Sequence, residues 1–229
     1  MAFHYSPKIV TDGLVLYLDA ANPKSFSTAS NTWIDISKGE YNGSISGATF
    51  SSLKSGAVVF DGIDDYVEIP NTISLLPSVG SGTIDFVYKL NATASGDFRN
   101  IWGFTNNIFQ YENNVGFMLF VWRYTDLNYN GLSSGIAYGD FNIYHITCTY
   151  TATLVSSTFR IYKNGIFLST ITYPKPLIST ANSLRLGTPF TNPNDSNNCT
   201  IFNFKIYNRV LSDSEVFQNF NATKTRFGL

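Results

Sequence analysis

Charge is sparse in this chain. Asp, Glu, Lys and Arg make up 14% of its 229 residues and nearly cancel, leaving a net charge of −1. Lys and Arg are scattered, so no basic stripe exists to neutralise a phosphate backbone, and nucleic-acid binding is not expected. Glutamate is rare, at Glu40, Glu68, Glu112 and Glu215, and histidine rarer, at His4 and His145. Each shortage removes a chemistry. Hydrolysis of a glycosidic bond needs two carboxyl groups about 5–9.5 Å apart across the sugar, and no glutamate has a second carboxylate at alternate positions along one strand. Cys148 and Cys199 stand alone, one in a strand-like run and one in a polar loop. They make no disulfide framework; two free thiols are expected, with a single disulfide between them as the alternative. Two histidines and two isolated cysteines make neither a zinc site nor a nucleophile–base pair. Glycine-rich phosphate loops are lacking. No apolar run approaches the ~20 residues of a membrane-spanning helix, and the opening MAFHYSPKIVTDG has no apolar signal-peptide core. The reading is a protein made in the cytosol, without membrane insertion.

What is abundant suits pleated, half-buried surfaces. Aromatic residues reach 16%, and Val, Ile and Thr are plentiful, as in strands. GTIDFVYKL (82–90) alternates, with Ile84, Phe86 and Tyr88 on one side. GFMLFVWRY (116–124) is apolar on both faces, like a central sandwich strand. IYHITCTYT (143–151) sets Tyr144, Ile146, Cys148 and Tyr150 against His145, Thr147 and Thr149. In FRIYKNGIFLST (159–170), Asn164-Gly165 between two alternating runs predicts a type I′ hairpin, whose central residues both need positive φ. In CTIFNFKIYN (199–208), Phe202, Phe204 and Ile206 are expected to point one way. One helix is predicted, over LSDSEVFQNF (211–220). Ser212 is its N-cap, and Glu215 completes a capping box. Leu211 and Val216 form the staple, and Val216, Phe217 and Phe220 the apolar face. A two- or three-turn helix of this kind covers a sheet edge. These elements predict an all-β, antiparallel two-sheet jelly-roll β-sandwich over residues 12–229, with one short C-terminal helix. Residues 1–11 form an N-terminal arm, either frayed or docked on a neighbour.

Several segments carry a family resemblance in the right order: DGLVLYLDAANPKSF (12–26), TWIDISKGEYNGSISGATF (32–50), AVVFDGIDDYVEIP (57–70), YHITCTYT (144–151), FRIYKNGIFLST (159–170), LRLGTP (184–189) and IFNFKIYNRVLSDSEV (201–216). Together they resemble the laminin-G-like members of the concanavalin A-like lectin/glucanase fold. The two ends, SPKIVTDGLVLYLDAANPKSF and YNRVLSDSEVFQNFNATKTRFGL, resemble stand-alone laminin-G-like structural proteins of tailed bacteriophages. That resemblance implies a non-enzymatic virion protein, a capsid decoration, head fibre or tail component. Its partners would be other virion proteins, a homo-oligomer is compatible, and its place would be the virion surface. The fold resemblance admits two alternatives, a calcium-dependent lectin and a glucanase relative. The missing carboxylate pair disfavours the second.

DGIDD (61–65) lies between two strand runs. It does not fit an EF-hand loop. Asp and Gly there suit a hairpin or strand-connecting loop. The alternative is a Ca²⁺ site using Asp64 and Asp65, since the fold resemblance implies calcium at a sheet rim. Asp19 and Asn22, or Asp195, are candidates for the further ligands. For glycan or partner binding, the middle third interleaves Trp102, Tyr111, Trp122, Tyr124, Tyr129 and Tyr138 with asparagines. The loop RYTDLNYNGLSSG (123–135) is the leading candidate, with Tyr124, Asp126, Asn128, Tyr129 and Asn130, and Tyr111 beside it. The same rings could instead pack the core or form a protein interface, with Trp102 and Trp122 read as core. His145 reads as a strand histidine and Glu215 as a cap.

Overall fold

The structure is a computed structural model. It describes residues 8–70, 72, 75, 79–92, 98–105, 108–113, 117–123, 129–137, 139–177, 183–187 and 196–229. For 98, 99, 108–113, 117–123, 129 and 130 it describes the backbone alone. In chain order the elements are β1 (Leu14–Asp19), β2 (Thr32–Trp33), β3 (Gly43–Ser46), β4 (Thr49–Ser51), β5 (Ala57–Asp61), β6 (Tyr66–Pro70), β7 (Gly80–Leu90) and β8 (Phe98–Phe104). Then follow β9 (Ile108–Asn113), β10 (Phe117–Arg123), β11 (Tyr129–Ala137), β12 (Ile143–Ala152), β13 (Ser157–Lys163), β14 (Ile166–Tyr173), β15 (Ser183–Gly187), β16 (Asn198–Tyr207) and a helix, α1 (Asp213–Phe227).

The strands build two eight-stranded sheets. The first runs β14-β13-β12-β7-β16-β5-β4, with β1 also paired to β16, and the second runs β11-β10-β9-β8-β15-β6-β3-β2. Their ladders are antiparallel, as the alternating runs predict. Period-2 alternation turns one face of each sheet inward. Ile84, Phe86, Tyr88 and Leu90 of β7 meet Val67, Ile69, Leu184, Leu186 and Trp102 of the second sheet in one core. Trp102 lies edge-on to Phe86 and Phe204, with ring centroids 5.9 and 5.6 Å apart, so its core placement holds. Cys148 and Cys199 are both buried and neither forms a disulfide.

In β16 a departure from simple alternation redirects one aromatic side chain. The register of β16 against β7 shifts between Ile201 and Asn203. This bulge leaves Phe202 on the outer face, where it packs with Ala57, Val87 and Phe227. Ile201, Phe204 and Ile206 remain in the inter-sheet core. Phe202 therefore does not point with Phe204 and Ile206. The bulge also lets β16 change partners along its other edge, β5 before it and β1 after it.

The Asn164-Gly165 turn has the expected geometry, with φ of 52° and 76°. The helix is longer than predicted, with 15 residues. Its capping box is present, with Ser212 Oγ accepting from Glu215 N at 3.3 Å and Glu215 Oε2 accepting from Ser212 N at 2.8 Å. Leu211 and Val216 share a cluster with Val10, Tyr162 and Tyr207. The buried face differs from the predicted one: it is Val216, Asn219, Thr223 and Phe227, while Phe217 is 49% exposed. The helix lies across the outer face of the first sheet rather than on an edge, so it meets polar strand residues there and buries polar side chains of its own. Of the N-terminal segment, Lys8 and Val10 dock on this helix. Val10 N donates to Asn219 Oδ1 at 2.8 Å, Gln218 Nε2 to Lys8 O at 2.8 Å, and Tyr207 OH to Val10 O at 3.0 Å. At the other terminus Phe227 is buried and Leu229 packs beside it.

Candidate functional site

The aspartates of DGIDD close a loop that carries the chain from β5 in one sheet to β6 in the other. Asp61 Oδ1 accepts from Ile63 N at 2.8 Å, and Asp65 Oδ2 from Asp61 N at 2.8 Å. Ser196 Oγ donates to Ile63 O at 2.9 Å. Gly62, at φ 82°, is needed both for the turn and for room, because a Cβ there would lie 2.8 Å from Asn198 N. DGIDD is thus a strand-connecting loop held by its own aspartates. It also gathers charge. One carboxylate oxygen from each of Asp61, Asp64 and Asp65 lies within 4.8 Å of the others. Opposite ligands of one Ca²⁺ are about 4.8 Å apart at its usual bond lengths, so the three oxygens fit around a hard cation in span and charge. Burial raises the pKa of Asp65; the hydrogen bond from Asp61 N opposes this, and the charges of Asp61 and Asp64 add to it. Asp19 does not join them. It pairs with Arg226 Nη1 at 2.8 Å, and Asn22 Oδ1 accepts from Lys24 N. Asp195 lies outside the described residues.

Of the aromatic–asparagine candidates, Tyr124, Asp126, Asn128 and Tyr138 lie outside the described residues. Tyr111 stands on β9 opposite Leu119 of β10, and Tyr129 and Asn130 stand on β11 opposite Arg123 and Trp122. The topology therefore brings these strands side by side at one edge of the second sheet. The side chains of Tyr111, Trp122, Tyr129 and Asn130 are outside the description.

Beneath α1 lies a cluster of charges that sequence reasoning reached only in part. Asp85, Lys205 and His145 are on the outer faces of neighbouring strands and are 0%, 0% and 1% exposed. Asp85 pairs with Lys205 through Oδ1 and with His145 Nε2 through Oδ2, the latter at 2.9 Å. Thr147 Oγ1 at 3.0 Å and Asn219 Nδ2 at 3.3 Å also donate to Oδ2. Burial disfavours the Asp85 carboxylate, and the His145 and Lys205 charges and hydrogen bonds override it, holding its pKa well below the usual range. Closed to solvent, this cluster anchors the helix rather than meeting a substrate.

A second group was missed. On the outer face of the second sheet Arg185 of β15 donates from Nε and Nη2 to Glu68 Oε2 of β6, at 3.0 and 2.8 Å. Its guanidinium sits 4.2 Å from the Tyr66 ring centroid. Ser44 and Ser46 stand opposite Glu68 and Tyr66 on the next strand. The available signal was alternation: YVEIP and SLRLG place Tyr66, Glu68 and Arg185 opposite to Val67, Ile69, Leu184 and Leu186. Of the glutamates, Glu68 is thus tied to Arg185, and Glu215 to its cap and to Arg209 Nη2 at 2.6 Å.

A laminin-G-type family profile, described as the concanavalin A-like lectin/glucanases superfamily, matches residues 61–217. No curated protein sequence matches the chain. Among solved structures, the binding domain of Paraclostridial Mosquitocidal Protein 1 is similar at a TM-score of 0.71 and 15% identity, over 92% of this chain and 52% of that one. The botulinum neurotoxin serotype D binding domain is similar at 0.68 and 12%, over 92% and 52%. The serotype D ligand binding domain in complex with N-acetylneuraminic acid is similar at 0.67 and 13%, over 92% and 51%. The chain spans about half the length of these structures, and at such identities the likeness is one of fold.

Proposed function

This chain belongs to the concanavalin A-like lectin/glucanases superfamily, and from that premise we propose that it is a non-enzymatic glycan-binding module on the surface of a tailed-phage particle. The observation that carries the binding half is its match, over 92% of its length, to domains described as binding domains, one of them holding a sugar acid. Absence of catalysis is supported by Glu68 and Glu215, which are engaged by arginines rather than facing each other across a cleft. The virion half is supported by the resemblance of both chain ends to phage laminin-G-like proteins. Those ends belong to one structural unit, because Lys8 and Val10 dock on α1. Other virion proteins, or further copies of the chain, would be its neighbours. Mass spectrometry of purified virions tests this: copy numbers comparable to a capsid or fibre protein are expected, and absence from particles would sink the virion reading. Retention on an oligosaccharide array tests the binding half independently.

The second reading, a free-standing calcium-dependent lectin, is favoured by the Asp61–Asp64–Asp65 cluster. These three carboxylates would hold the ion, with roughly three to five further oxygens completing the shell. Bound Ca²⁺ would offset two of the three negative charges and stiffen the passage between the sheets. Millimolar Ca²⁺ should raise the melting temperature of the wild type, and Asp64→Asn should abolish that rise. An unchanged melting temperature would dismiss the ion.

A further inference from the structure

The outer faces of the two sheets differ. That of the first is covered by α1. Among the described residues no helix crosses that of the second. We propose that Tyr66, Glu68 and Arg185, flanked by Ser44 and Ser46, form on that face the contact point for a neutral pyranose ring of a glycan. The inference rests on the glycan-binding reading above and names the place and the sugar class.

Rigidity comes first. Val67, Ile69, Leu184 and Leu186 are fully buried on the inward side of the same two strands. The outward residues are therefore fixed by the core rather than by a loop. Arg185 and Glu68 lie directly opposite in register, and their side chains are 21% and 31% exposed, neither buried nor free to sweep through solvent. Glu68 Oε2 and the Tyr66 ring both hold the guanidinium.

The unused polar atoms then define the ligand. Arg185 Nε and Nη2 both donate to Glu68 Oε2, and Oε1 accepts no hydrogen bond among the described residues. The Tyr66 hydroxyl and the Ser44 and Ser46 hydroxyls are likewise not engaged there. Ser44, Glu68 and Arg185 form a row across three strands, about 10 Å long at the usual strand spacing. Its charge is balanced, because Glu68 cancels Arg185. An anionic ligand gains no net attraction from this pair. A neutral sugar offers hydroxyl donors to Oε1 and both donors and acceptors to the tyrosine and serine hydroxyls. The face thus selects polyhydroxylated rings over sugar acids.

The test uses the full chain on an array of neutral and sialylated oligosaccharides, followed by calorimetry on a retained neutral glycan. Wild-type protein is expected to retain neutral glycans. Glu68→Gln removes the carboxylate acceptor and loosens Arg185, and should weaken binding at least about tenfold. Tyr66→Phe and Ser44→Ala remove one hydroxyl each from an exposed face and should weaken it less. They keep the proposal falsifiable if Glu68→Gln does not fold, melting temperature being the check. Full affinity in the folded variants overturns the sheet-face site and leaves the glycan-binding reading standing, as does retention of sialylated glycans alone. No retention of any glycan by the wild type overturns both.

Discussion

Asp85 is the residue on which the helix side of the molecule depends. It is fully buried, yet it carries a charge that four neighbours satisfy: Lys205, His145, Thr147 and Asn219. Such a cluster is expensive to break from one side, because the partner left behind keeps its charge without compensation. Lys205→Met removes the ammonium paired with Asp85 and should cost about 3–5 kcal/mol in urea unfolding. A loss below about 1 kcal/mol would show that the cluster is not held as a unit. A sequence shows Asp85 and Lys205 as isolated charges 120 positions apart, inside runs otherwise apolar. Nothing local says that the register of β7 against β16 sets Lys205 directly opposite Asp85. The pairing is a product of the sheet and is visible only there.

Elements show both success and failure of local reading. The start of α1 is legible because a capping box is local chemistry, four residues satisfying one another's backbone donors. Ser212→Ala should cost about 1 kcal/mol, read by denaturant midpoint. Glu215 adds a pH dependence. Hydrogen bonds from Arg209 lead in lowering its pKa from 4.5 to about 2. The folded value lies below the unfolded one, so its contribution is present in full above about pH 4.5 and is lost as pH falls toward 2. Thermal unfolding from pH 6 to pH 2 should therefore depend less steeply on pH in a Glu215→Gln variant, and equal slopes would contradict this assignment. The end of α1 and its buried face were not legible. Asn219 is buried because it bonds Asp85, Tyr207 and Val10 beneath it, and the buried Thr223 hydroxyl bonds back to Asn219 O, whereas amphipathic reading expects apolar residues on a buried face. Phe202 failed for a related reason. A bulge is one residue in a ladder, and it reverses every face assignment before it.

At the scale of the whole molecule the two outer sheet faces differ in what covers them. The first is closed by the helix and the N-terminal segment over a charge cluster. The second presents Tyr66, Glu68 and Arg185 to solvent. Removing residues 209–229 would expose Asp85, Lys205, Tyr207 and Phe202 together. The truncated chain should lose the cooperative transition of the full protein in calorimetry; a transition at the original temperature would mean that α1 is an accessory. Binding to a partner or glycan, in contrast, is expected to tolerate changes to the helix surface at Phe217 and to respond to changes on the opposite sheet.

Sequence alone determined what depends on neighbours along the chain. The strand periods, the Asn164-Gly165 turn, the helix start and the loop character of DGIDD all follow from residues a few positions apart, where propensity and hydrogen bonding act directly. It also determined the family, through segments in a recognisable order. Tertiary structure decided which charges meet. Strand pairing brought Arg185 to Glu68 across 117 positions and the helix to Asp85 across 134. Those contacts depend on register and on which face each sheet turns inward, and a one-residue slip in either would have undone them.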